Sequence, residues 1–406
     1  MDFKCVECSA VTTVNAPITA KQFVCPNCRK SYFWSEEGFR LGKQFEKTTV
    51  HTRLDIGLKG FLKGQELTVT GSVTKQVYGQ FYWEEYTLVD AKGSFFYLSQ
   101  SEGHFILLQE IEAKFPFDGR HHITHEEIEY KIYEKPKARI VDASGFFDEE
   151  LPTAEVKMME YIAPPYTISI ERSNNENRYY KGEHVSRRQI KKAFPNFDMP
   201  VKSGVGMIQP FPVDLKNLIL TLCATAILTG ILHIFIYRNQ SEQSILATEL
   251  PFSDFDGKQF TSPSFELVGG SAPLSIAISA PVDNSWANLS VVLVDEKSND
   301  EIEASKDVEY YHGYTDGESW SEGAQSEDFN ICGVGAGKYH LVLSPMKEVS
   351  AQPAGSMGVN VVWNQPSLRN VWFTALFMAI FVAVIYFIRY QFEKKRWSES
   401  DYSDYE

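Results

Sequence analysis

Two stretches of this chain run for about the thickness of a bilayer without a formal charge: LILTLCATAILTGILHIFIY, Leu218 to Tyr237, and VWFTALFMAIFVAVIYFI, Val371 to Ile388. A hydrocarbon core about 30 Å thick is crossed by about twenty helical residues at about 1.5 Å each. The two runs therefore predict membrane helices over 214–238 and 368–390. Trp372 and Tyr386 stand where interfacial aromatic belts are found. His233 lies about one turn from the end of its span, which favours neutral interfacial packing over a buried proton site. The opening MDFKC lacks the apolar core of a secretory signal, so no cleaved leader is expected.

Charge around the spans sets the expected orientation. Lys202 and Lys216 precede the first, and Arg389, Lys394, Lys395 and Arg396 follow the second, with Arg238 and Arg369 dissenting weakly. Between Gln240 and Pro366 the basic residues are Lys258, Lys297, Lys306, Lys338 and Lys347, set among many carboxylates. Residues 239–367 are thus expected outside and both termini in the cytoplasm, where the sequence ends in an acidic tail over 391–406.

A reducing compartment changes the meaning of the first cysteines. Cys5, Cys8, Cys25 and Cys28 form two C-x2-C pairs, and four thiolates at that spacing can close a tetrahedral Zn2+ shell. No open ligand position is suggested, so 1–34 reads as a structural zinc ribbon, with disulfides disfavoured in the cytoplasm. The formal net charge of -14 argues against nucleic acid as a partner, because phosphates need a basic surface.

Behind the ribbon, 50–194 alternates apolar and polar residues between turn signals, as in QELTVTGSVT, YWEEYTLVDAKGSFFYLS and HFILLQEI. A second pass from Tyr130, with ARIVDASGFF, MMEYIAPPYTISIER and YYKGEHV, repeats the order and suggests two related β units. SRRQIKKAF reads as a short helix with Ser186 as N-cap and Ile190 and Phe194 on one face. Its basic residues could face anionic lipid. The Pro- and Gly-rich 195–213 reads as a linker. Outside, segments such as PLSIAISAPV, ANLSVVLVDE and KYHLVLSP predict a β-sandwich over 239–367. The fold class expected is therefore multi-domain and mainly β, with two transmembrane helices flanking the sandwich.

LKGFLKGQELTVTGSV, YWEEYTLVD and GHFILL, followed by EYIAPPYTISIE, YYKGEHVSRRQIKKAF and a Pro-rich stretch before a span, resemble the domain of unknown function 4178 family. NSWANLSVVLVDE, YYHGYTDGESWSEG and the ending KKRWSESD are similar to the outer region and tail of membrane-bound bacterial members. The resemblance implies a place in the bacterial inner membrane. Members are often encoded beside polyamine aminopropyltransferase-like proteins, which implies a shared system but carries over no catalytic residue.

Several short motifs bear on possible chemistry. GVGAGKY, Gly333 to Tyr339, has the wrong spacing for a phosphate loop and reads as a turn. His121, His122 and His125 are expected in a solvated loop, and Glu84 and Glu85, adjacent on a strand, point to opposite faces and cannot act as a pair. Tyr310, Tyr311, Tyr314, Asp316, Glu318, Trp320 and Glu322 mix aromatics with carboxylates and would suit a polyamine or other cationic ligand outside; a loop packed on the sandwich is the simpler reading. Thr225, Ala226, Thr229 and Gly230 in the first span, and Ala375, Ala379 and Ala383 in the second, give small-residue faces for helix contact within one chain or between copies. With no nucleophile, base and orienting group in view, the expected role is a non-catalytic scaffold or sensor joining the outer domain to cytoplasmic protein partners. The alternative is an enzyme, or its accessory subunit, in a polyamine-related system.

Overall fold

The computed structural model describes the chain except residues 36–37, 49–53, 175, 239–241, 349–354, 366–367 and 406. The domain starts expected at 50 and 239, the outer domain's end at 367 and the last tail residue lie outside the described residues. Two compact units form, one of residues 1–215 with 384–406 and one of 216–383.

The first unit begins with β1 (Asp2–Lys4) and β2 (Val11–Thr13), which pair with each other. β3 (Gln22–Val24), β4 (Lys30–Ser35) and β5 (Gly38–Gln44) follow as an antiparallel meander. β6 (Lys59–Leu62) turns into a four-strand run, β7 (Gln65–Val77), β8 (Phe81–Val89), β9 (Phe95–Ser101) and β10 (His104–Glu110). After β11 (His122–His125) and β12 (Ile128–Glu134) comes a second run, β13 (Lys137–Phe147), β14 (Val156–Ala163), β15 (Tyr166–Ser173) and β16 (Glu176–Val185). The histidine-rich stretch expected as a loop is therefore partly a strand, since Ile123 alternates inward and is buried against Tyr130 and Ile132.

The two runs join at both edges. β7 pairs antiparallel with β13 and β10 with β16, while β14 pairs with β12 and with the start of β13. The order β7-β8-β9-β10-β16-β15-β14-β13 thus returns to β7 as a closed barrel. Closure leaves no free edge in the ring, which removes the unpaired N–H and C=O groups that make edges sticky. The ribbon is no separate bead: β3 adds to β13 through Val24–Gly145, Phe23–Phe146 and Gln22–Phe147.

Side chains alternate between lumen and outside along each strand. Tyr86, Leu88, Phe96, Leu98 and Phe105 face outward and are covered by α1 (Arg187–Ala193) and by Leu54, Leu62 and Phe194. The helix has the expected Ser186 cap, in a capping box with Gln189, and Ile190 and Phe194 are fully buried. The 195–213 stretch, expected as a linker, instead lies packed: Ile208 is buried with Tyr133, Ile162 and Trp397. Its carbonyls at Gly206, Met207 and Gln209 find a donor in Arg396, which composition alone does not reveal.

α2 (Leu215–Arg238) leads into the second unit. There β17 (Gln243–Pro251), α3 (Phe252–Phe255), β18 (Phe260–Thr261), β19 (Phe265–Leu267), β20 (Ala272–Ser279), β21 (Ser285–Asp295), β22 (Glu301–Thr315), β23 (Glu318–Ala324), β24 (Ser326–Val334), β25 (Gly337–Lys347) and β26 (Ser356–Trp363) form a four-stranded and a six-stranded sheet. One core, including Leu274, Ile276, Leu289, Val291, Leu341 and Trp363, draws on both sheets. α4 (Arg369–Trp397) closes the chain. α2 and α4 are long and apolar enough to cross a membrane, and the apolar windows of both are wholly exposed. In α2 the ring of His233 packs on that of Tyr237 at 4.6 Å.

Gly145 marks the tightest point of the ring. Its φ is +105°, and a Cβ there would lie 2.3 Å from the Thr70 carbonyl oxygen and 2.5 Å from Gly71 Cα. Backbone on both sides of the β7–β13 pairing would have to separate. Gly145→Ala should therefore destabilise the chain by at least about 2 kcal/mol. Gly64→Ala, also at positive φ but with open space around it, should cost about 1 kcal/mol. Thermal unfolding of the two variants in detergent, ranked against the parent, checks the order.

Candidate functional site

The four cysteines converge by two copies of one turn. Cys5 N–H donates to Ala10 O and Ser9 N–H to Cys5 O, each at 2.9 Å. Cys25 N–H donates to Lys30 O and Arg29 N–H to Cys25 O, again at 2.9 Å. The residue after each second cysteine, Ser9 and Arg29, has φ of 62°. The four Sγ atoms lie within 4.8 Å of one another, with Cys5–Cys28 and Cys8–Cys25 both at 3.6 Å. Sulfurs on a tetrahedral Zn2+ at about 2.3 Å would stand about 3.8 Å apart, so the group fits a four-sulfur metal shell. Tyr32 Oη lies 3.1 Å from Cys5 Sγ, placed to donate to a thiolate. Burial pushes the Cys25 thiol up to about 12, whereas the Ala10 backbone and the Asn27 side chain bring Cys8 down to about 6. A bound cation would favour the thiolate at all four.

The cluster is fixed to the barrel by a buried ion pair. Arg29, directly after Cys28, donates through Nε to Asp142 Oδ1 at 2.7 Å, and Asp142 is fully buried on β13. Asp142 Oδ2 also accepts from Thr48 N and Oγ1 at 3.0 and 2.8 Å. A buried charge pair is retained only where its hydrogen bonds are well met, as here.

The barrel interior is a cavity of about 670 Å³. Lys75 from the first run reaches Glu85 at 3.2 Å and Glu171 at 2.9 Å, crossing from β7 to β15. Burial alone would lower the Lys75 pKa, but Glu171 and Glu85 outweigh it and hold the ammonium charged. Glu84, one residue away, faces outward and accepts from Tyr86 Oη at 2.8 Å, so the two glutamates do part as strand geometry requires. Glu134 and Glu160 are opposed across β12 and β14 and both line the cavity. Glu160 accepts from Ser169 Oγ at 2.5 Å. Burial raises Glu160 to about 8 and Glu134 to about 7, with Asp401 and Glu399 adding to the latter. Tyr97 and Tyr180 meet edge to face at 5.6 Å in the wall.

None of these lumen residues was singled out as a site in the sequence. The signal was present in YTISIERS, where Thr167, Ser169 and Glu171 alternate with buried Ile168 and Ile170. Polar residues on the second face read as solvent-facing until closure turns that face inward.

The other expected residues are placed differently. Tyr310, Tyr311, Tyr314, Asp316, Glu318, Trp320 and Glu322 lie on the β22–β23 hairpin and not on a packed loop, because Asp316 and Gly317 adopt positive φ and turn the chain tightly. Its register puts Tyr311, Trp320, Glu318 and Glu322 on one face and Tyr310 and Tyr314 on the other. The seven therefore do not converge. Thr225, Ala226, Thr229 and Gly230 lie along α2, where Thr225 and Thr229 donate to carbonyls four residues back, and a Cβ at Gly230 would meet nothing within 4 Å. Ala375, Ala379 and Ala383 lie along α4. His122 and His125 are drawn to neighbouring Glu129 and Glu126, and the four cysteines are the metal-ligating group found among the described residues.

A mainly β chain with a metal-competent cysteine cluster and two apolar helices is thus defined. Residues 55–187 match the model of the family described as Domain of unknown function (DUF4178), so the resemblance read from YWEEYTLVD and its neighbours stands. No curated protein matches the chain. Among solved structures, the infectious bursal disease virus VP2 subviral particle overlaps at TM-score 0.18 and 8% identity, covering 86% of this chain and 68% of that one. Trypanosoma rangeli sialidase in complex with sialic acid overlaps at TM-score 0.13 and 8% identity, over 87% and 77% of the two chains. Overlap this slight carries no information on function.

Two outcomes follow from this geometry. Cys25→Ser should release the metal and lower stability, as metal and folding free energies are linked; metal content of the purified full chain by mass spectrometry, before and after chelator, measures it. Glu160, with its folded pKa above the unfolded value of about 4.5, contributes stability that is fully present below that value and lost as pH rises through about 8. Melting temperature should therefore fall from pH 5 to pH 9, roughly, and Glu160→Gln should flatten that fall.

Proposed function

We propose that the chain is a non-catalytic, two-span protein of the bacterial inner membrane that joins an outer β-sandwich to a cytoplasmic barrel and its protein partners. The observation that carries this reading is a latch at Arg396. This guanidinium, 1% exposed, donates to the carbonyls of Gly206 at 3.0 Å, Met207 at 2.7 Å and Gln209 at 2.6 Å, and to Glu393. Tyr133 Oη donates to the Arg396 carbonyl at 2.8 Å, and the Lys131 ammonium stands 4.6 Å from the Trp397 ring. The chain entering the first apolar helix and the chain leaving the second are thereby tied to each other and to the barrel. A shift of α4 along its axis would pull on that tie, which suits a sensor or scaffold better than a passive anchor.

In this reading α2 and α4 cross the bilayer with both termini in the cytoplasm and 239–367 outside. The cysteine cluster holds a structural Zn2+. The barrel is built from two related four-strand units. The small-residue faces of the spans serve contact with a second copy, and cationic ligands meet the outer hairpin only singly, face by face.

In a Cys332→Ser background, a membrane-impermeant thiol reagent should label a cysteine at Ser326 in intact cells and leave Cys5 unlabelled. Labelling of both would refute the orientation. Arg396→Ala strands three carbonyls that its guanidinium satisfied, at about 1 kcal/mol or more each. The variant should be cleaved by protease within 195–213 faster than the parent, as read by mass spectrometry of the fragments.

A further inference from the structure

We propose that the barrel lumen is a binding site for an organic ammonium ion with an apolar body. Its charge balance is the first reason. Glu85, Glu102, Glu134, Glu160, Glu171 and Glu399 line the cavity, and among the described residues its lining includes no lysine or arginine; Lys75 stands behind two of these carboxylates. Lys75 is already committed to Glu85 and Glu171. His104, the lining imidazole, is bonded through Nε2 to the Ser203 carbonyl at 2.7 Å, and its burial disfavours the charged form.

The second reason is the placement of Glu134 and Glu160. They are directly opposed in neighbouring strands, a position where like charges repel. Glu160 has Ser169, whereas Glu134 makes no hydrogen bond or ion pair among the described residues. A single ammonium group between them would satisfy both carboxylates with charge-assisted bonds.

The wall selects an organic cation over a metal. Trp83, Tyr97, Tyr180, Met158 and Ile106 line the same space, and Tyr78, Phe81 and Tyr82 stand exposed at its rim. Aromatic faces attract ammonium groups and cover alkyl or aryl bodies. Hard divalent ions need six or more oxygens, and no carboxylate group of three converges here among the described residues. The volume of about 670 Å³ is that of a small-molecule pocket.

Binding should release protons. Burial holds Glu160 near 8, with Glu134 and Glu171 raising it further and Ser169 and Lys75 opposing, and holds Glu134 near 7 with Asp401 and Glu399. An ammonium ion prefers both ionised, so affinity should rise with pH. This inference concerns the barrel alone and does not depend on which side of a membrane it faces.

The test uses the full chain in nanodiscs of neutral lipid, titrated calorimetrically with phenethylammonium chloride. One site per chain is expected, at least about tenfold tighter at pH 8 than at pH 6, with a change in Trp83 fluorescence. Glu134→Gln/Glu160→Gln should weaken binding at pH 8 at least about tenfold without lowering the melting temperature. Ser99→Leu, which fills the lumen without changing its charge, should abolish binding, and Glu322→Gln on the outer hairpin should leave it intact. The proposal is overturned if the parent shows no saturable binding. It is equally overturned if phenylacetate binds as tightly, if Ca2+ takes the site in place of the amine, or if the double variant and Ser99→Leu bind like the parent.

Discussion

Everything in the first unit depends on the pairing that closes the ring, β7 with β13 and β10 with β16. Each four-strand run has two edges, and each edge finds its partner in the other run. That closure makes one face of every strand an interior. Lys75 can then meet Glu171 across the lumen, and the opposite face is left to be covered by α1 with Phe197 and Met199, while Val205, Met207 and Glu399 line the lumen itself. The cysteine cluster also hangs on this frame, through β3 against β13 and through Arg29 against Asp142.

Local chemistry was legible in the sequence, and long-range pairing was not. The C-x2-C spacing placed four sulfurs together because each short loop fixes its own pair. Ser186 capped its helix because cap and Gln189 are neighbours along the chain. The apolar helices were visible from length and composition alone. Closure was invisible, since period-two alternation fixes which side chains share a face but not which edge a strand will find. The lumen therefore stays hidden: Glu85 is set aside because it cannot pair with its neighbour Glu84, whereas its partner is Lys75 and, beyond it, Glu171. Arg396 read as one of several positive charges beside a span, while its burial depends on carbonyls about 190 residues earlier.

The same charge economy recurs at different depths. Asp142 is fully buried and fully bonded, and Lys75 is buried with two carboxylates. Arg396 is buried against neutral carbonyls and one glutamate. Each of these groups is satisfied by elements distant in sequence, so each reports on correct assembly of the barrel. Glu134 and Glu160 depart from that pattern, and the departure falls in a cavity with room to hold what would complete it.

The joins are of like edge to like edge: the first strand of one run against the first of the other, and the last against the last. That is the arrangement of an isologous two-fold dimer, in which one patch on a subunit meets the same patch on its copy. A lone four-strand run has two open edges and could close only against another copy of itself, so the present barrel has the form of a homodimer fused into one chain. Two-fold symmetry in such an ancestor would place every lumen residue twice. A single chain is free of that constraint, and the two runs here differ, with Lys75 contributed by β7 and Glu160 and Glu171 by β14 and β15.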